Sequence, residues 1–103
     1  MIYEVITGIV RIDKRSEFIG LHREYILPVY AKNSVTVICC LLTEVGEFGK
    51  FIDVYEYPSY EEYEKKSEAI FRELREKEYY PKINGCIVGN ITISLMADFK
   101  DIL

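Results

Sequence analysis

The chain has 103 residues, half of them hydrophobic, and its 13 Lys and Arg against 17 Asp and Glu leave a net charge of −4. A chain of this length fits one domain, residues 1–103, large enough to bury about two-thirds of its unfolded surface. The basic residues are scattered, which excludes the dense positive surface that nucleic acid needs, and no apolar run nears the roughly 20 residues that span a bilayer.

The opening segment MIYEVITGIVRID reads as a strand from Ile2 to Ile12. Its apolar residues are interrupted by Glu4, Thr7 and Arg11, unlike those of a signal peptide, so a cytoplasmic location is expected. Asp13 to Ser16 start a helix whose apolar stripe is Phe18, Leu21, Tyr25 and Val29. Pro28 removes a helix hydrogen bond and is expected to kink or end that helix just before it. Val35 to Glu44 is a strand with two largely apolar faces, which calls for cover on both sides. Gly46 and Gly49 bracket a loop, and the chain returns antiparallel through Lys50 to Tyr57.

That third strand places Phe51, Asp53, Tyr55 and Tyr57 on one face, an acid among three rings, as in the wall of a pocket. Ser59 stands three residues before Glu62, the spacing of a capping box, and opens a second helix with Tyr63, Ser67, Ile70 and Leu74 on its apolar stripe. Glu78-Tyr79-Tyr80-Pro81 closes it, and a last strand runs from Cys86 to about Ala97. Ile87, Gly89, Ile91, Ile93 and Leu95 are its helix-facing side.

The order β-α-β-β-α-β predicts an α+β, ferredoxin-like domain, with a four-stranded antiparallel sheet and both helices on one face. The second strand is then an edge, and it is the most apolar of the four. Shelter against a second copy is the expected remedy, so the chain is expected to form a homodimer whose two bare faces enclose a barrel.

The opening Tyr3-Glu4, the helix end Leu27-Pro28, the turn Thr43-Glu44-Val45-Gly46 and Tyr57-Pro58-Ser59 before a charged helix resemble the NIPSNAP family, over residues from Met1 to about Leu74. The resemblance implies a dimeric α+β barrel of undefined biochemical role. It also marks departures: such proteins often carry Arg and Tyr where this chain has Ile6 and Gly8, and His where it has Asp53.

Glu4, Asp53, Tyr55 and Tyr57 are the candidate ligand-binding residues, since the first and third strands are neighbours in this topology and these side chains share a face, taken to be the open one. His22, the only histidine, and Asp53 are the candidates for acid–base work. Cys39 and Cys40 point to opposite faces and cannot share a metal, so no metal site is expected, and no cofactor. The function read from these residues is a homodimeric domain that binds a small, partly apolar molecule or serves as an interaction module. The alternative is a cofactor-independent monooxygenase or isomerase acting on a small aromatic or polyketide-like substrate. A haem-handling variant would rest on His22 alone.

Overall fold

A computed structural model of the chain describes residues 1–101. Strand β1 (Ile2–Val10) leads into α1 (Arg15–Leu21), a π turn (His22–Ile26) and α2 (Leu27–Lys32), which together form one long helical segment. β2 (Thr36–Leu42), β3 (Lys50–Tyr57), α3 (Tyr60–Glu76), the short α4 (Tyr79–Asn84) and β4 (Ile87–Ala97) follow. The strands form one antiparallel sheet in the order β2-β3-β1-β4, so β2 is an edge as expected.

Pro28 does not end the first helix. The chain widens instead into the π turn, where the Leu27 N–H bonds to the His22 carbonyl five residues back, and helix resumes through Lys32. A wider turn leaves room for the pyrrolidine ring, which would otherwise press on the carbonyl four residues before it. The extra residue also shifts the buried stripe. Ile26 and Tyr30 are buried beside Val29, while Tyr25 stays half-exposed and stacks on Tyr79.

β2 carries a bulge at Ile38: Val37 pairs with Tyr55 and Cys39 with Val54, so strict alternation fails there. Val37, Cys40 and Leu42 then share the helix-covered face with Tyr55, Asp53 and Phe51, and Cys39 and Leu41 lie on the bare face with Val54 and Ile52.

The Ser59 hydroxyl accepts the Glu62 N–H at 3.2 Å and caps α3, whose buried residues Ser67, Ile70 and Leu74 are those of the predicted stripe. The segment expected only to close this helix makes a further short one. Glu78 takes a left-handed conformation, φ 61°, breaks the run, and α4 begins immediately after.

The core lies between the sheet and the helices in two adjoining clusters. One is built on Ile26, Tyr30, Tyr55, Tyr57, Ile70 and Leu74, the other on Val10, Phe18, Leu21, Phe51, Cys86 and Ile87. Helices cover β1 and β3 but not the outer half of β4, where Ile93 and Leu95 remain 40% exposed on the side expected to be packed.

Candidate functional site

Glu4, Asp53, Tyr55 and Tyr57 do share one face of the sheet, as their register requires, but it is the helix-covered face and not the open one. Tyr30 and Tyr63 from the helices reach down to Glu4, and His22 reaches Asp53, so both acids find partners only on that side. The space beside them therefore lies between the sheet and the helices of this chain and not on the sheet's bare face.

His22 is the first residue of the π turn. Its Nδ1 lies 3.1 Å from the Phe18 carbonyl oxygen and its Nε2 2.7 Å from Asp53 Oδ2. The imidazole thus bridges a helix carbonyl and the Asp53 carboxyl, with both ring nitrogens engaged. Both residues are nearly buried, at 8% and 4% exposure. The Tyr55 hydroxyl donates to the same Asp53 oxygen at 3.3 Å, and burial, then the Asp53 charge, push this phenol far above its ordinary range. Tyr55 thus serves here as a hydrogen-bond donor to Asp53.

Cys40 sits directly across from Asp53 on β2. The residue as a whole is exposed, but its thiol faces Asp53, and burial followed by that carboxylate pushes it up to about 12. Such a thiol is a poor nucleophile.

Two spaces meet at the His22–Asp53 pair. Inward, between sheet and helices, lies a chamber of about 60 Å³ walled by apolar side chains such as Ile6, Ile26, Phe51, Phe71 and Ile91. Outward, between the helical segment and β2, lies a groove of about 500 Å³ lined by Phe18, Ile19, Arg23, Leu27, Cys40 and Leu42, with Arg15 and Glu44 at one end. Ligand sites run to roughly 300–1,000 Å³. The groove has that size; the chamber has room only for a terminal group.

Glu4 stands apart from both spaces. It is fully buried and accepts hydroxyls from Tyr30 at 3.1 Å, Tyr57 at 3.5 Å and Tyr63 at 3.1 Å. Burial raises its carboxyl above the ordinary value while the three phenols oppose that rise. Burial and then Glu4 raise the Tyr63 phenol to about 12. Glu4 and Tyr57 thus belong to a structural cluster, and Asp53 and Tyr55 to the site with His22. Arg23 and Cys40 are the site residues that sequence reasoning missed. Neither has a motif, and Cys40 reaches Asp53 only through the β2–β3 register.

Among the described residues no group of three His, Cys, Asp or Glu is placed to hold a metal ion, and no helix is long and apolar enough to cross a membrane.

No family model and no curated protein matches the sequence. Solved structures do match. A NIPSNAP domain protein from Burkholderia xenovorans superposes with a TM-score of 0.79 at 14% identity, over 95% of this chain and 94% of that one. A NIPSNAP family protein from Agrobacterium tumefaciens gives 0.79 at 19% identity, over 93% and 90%. A structure named antibiotic biosynthesis monooxygenase gives 0.66 at 17% identity, over 95% and 98%. The chain thus has the fold of NIPSNAP domain structures, and the resemblance read from its short motifs is borne out at the level of fold.

Proposed function

We propose that this chain is a NIPSNAP-like domain, cytoplasmic and homodimeric, that binds a small, partly apolar molecule where the outer groove meets the inner chamber. The observation that carries the reading is the His22–Asp53 hydrogen bond at 2.7 Å, nearly buried yet lining both spaces. A polar pair on an otherwise apolar wall supplies the orienting contact that small-molecule sites use. Of the residues expected to bind ligand, Asp53 and Tyr55 keep that role, and Glu4 and Tyr57 support the wall behind them.

A second reading, a cofactor-independent monooxygenase or isomerase, draws on one further feature. The Nε2–Oδ2 hydrogen bond lies against an apolar space, where a positioned acid–base pair is most effective. The fold is compatible with such chemistry, and fold alone does not assign it.

The test is a fragment screen by ¹H–¹⁵N NMR on the purified protein. Binding fragments should shift the amides of Phe18, His22, Asp53 and Leu42 together, and Asp53→Asn should weaken them by about tenfold, the worth of one hydrogen bond to a charged group. Fragments that gather elsewhere, or none that bind, would remove the proposal.

A further inference from the structure

The groove outside the His22–Asp53 pair holds one cation more than it balances. Arg15 is engaged, with Nη1 donating to the Thr43 carbonyl at 3.2 Å and Nη2 to Glu44 at 2.5 Å. His22 and Asp53 compensate each other. Arg23 lines the same groove, is exposed, and has neither an ion pair nor a side-chain hydrogen bond among the described residues.

Its neighbours on the wall are apolar. Ile19, Arg23 and Leu27 all line the groove from the helical segment, so Arg23 stands on a wall whose other residues from that segment include two aliphatic side chains. Across the groove stands Leu42 of β2, and Phe18 lies toward His22, whose ring is 4.4 Å from its own. One unbalanced guanidinium on an apolar wall is complementary to one anionic head on an apolar body. A guanidinium also binds a carboxylate through two parallel hydrogen bonds, which a neutral hydroxyl cannot reproduce.

We propose that the groove selects an amphipathic monocarboxylate, its head on Arg23 and its apolar body laid along Ile19 and Leu42, past the His22–Asp53 pair. This rests on the binding reading above and names the class of molecule that the same site takes.

The experiment compares two probes of equal chain length, octanoate and 1-octanol, titrated into the full chain at low salt and followed by calorimetry and by ¹H–¹⁵N NMR. Octanoate is expected to bind about tenfold tighter than 1-octanol, as one charge-assisted contact provides. Arg23→Gln should erase that advantage and leave 1-octanol within about twofold, while Arg23→Lys keeps part of it; salt should weaken octanoate alone. Arg23 is exposed, so both variants should fold, which circular dichroism checks. If 1-octanol binds as tightly as octanoate, or Arg23→Gln leaves octanoate unchanged, the carboxylate preference is overturned and the binding site stands. If neither probe shifts a groove amide, the binding reading fails and takes this inference with it.

Discussion

Two buried carboxylates on neighbouring strands of one sheet face are stabilised in different ways. Asp53 faces an imidazole at 2.7 Å, whereas Glu4 is surrounded by three phenols and no cation. Hydroxyl donors relieve the desolvation of a buried carboxylate only in part, which is why burial dominates and the Glu4 carboxyl rises above its usual 4.5. The unfolded chain then releases this proton at a lower pH than the folded one. Through the window that starts near 4.5 and ends at the raised value, the native state binds more protons, so stability falls as pH rises and levels off above it. The expected result is that the urea midpoint of the wild type, taken relative to that of Glu4→Gln, declines across that window. Carboxylates held low, Glu73 beside Lys32 and Lys77 and Asp98 beside Lys100, slope the opposite way in both proteins and cancel in the difference. Parallel pH curves for the two proteins would mean that Glu4 is not the group responsible.

At the scale of elements, one glycine sets the position of the site. Gly8 of β1 lies opposite Phe51 of β3, and a Cβ there would come within 2.8 Å of the Phe51 ring and 3.2 Å of Ile91. Phe51 packs on Phe18 with ring centroids 4.8 Å apart, and Phe18 on His22 at 4.4 Å, so the space over Gly8 is passed on to the imidazole. Gly8→Ala should therefore destabilise by about 1–3 kcal/mol, the range for overpacking a filled core, as read from urea unfolding. Adding Phe51→Leu should restore part of the loss; a Gly8→Ala protein as stable as wild type would show that the ring moves freely. The motifs show Gly8 and Asp53 as departures from the family they resemble, without saying that the ring of Phe51 fills the first and that His22 meets the second from the helix. The element order, the edge position of β2, the α3 cap and the shared face of Glu4 and Asp53 are all legible in the sequence, because each follows from periodicity or a local hydrogen bond. The bulge at Ile38 is silent, since β2 is apolar on both faces and a slip in alternation changes no pattern. Pro28 announces a disturbance but not that a π turn absorbs it, and that turn brings His22 to Asp53.

At the scale of the molecule, the sheet has one covered and one bare face. On the bare side Val54 stands between Val5 of β1 and Cys39 of β2, with Ile52, Thr7 and Leu41 one step along, while β2 leaves Ile38 at 49% and Leu41 at 57% exposure. A bare face of this composition beside an apolar edge invites pairing with a like surface, which is the physical ground for the proposed homodimer. Sedimentation at micromolar concentration should then report a species of twice 12.1 kDa, and Val54→Arg, which sets a charge at the middle of that face, should return it to the protomer mass with unchanged circular dichroism. A wild type that sediments as the protomer would dismiss the dimer. It would leave the ligand site untouched, because the His22–Asp53 pair and the helical wall of the groove lie on the opposite side of the sheet, among residues of one chain, and only Leu41 of β2 borders both the groove and the bare face. Octanoate should accordingly bind the Val54→Arg protomer as it binds the wild type, a result that a cavity shared between subunits would not allow.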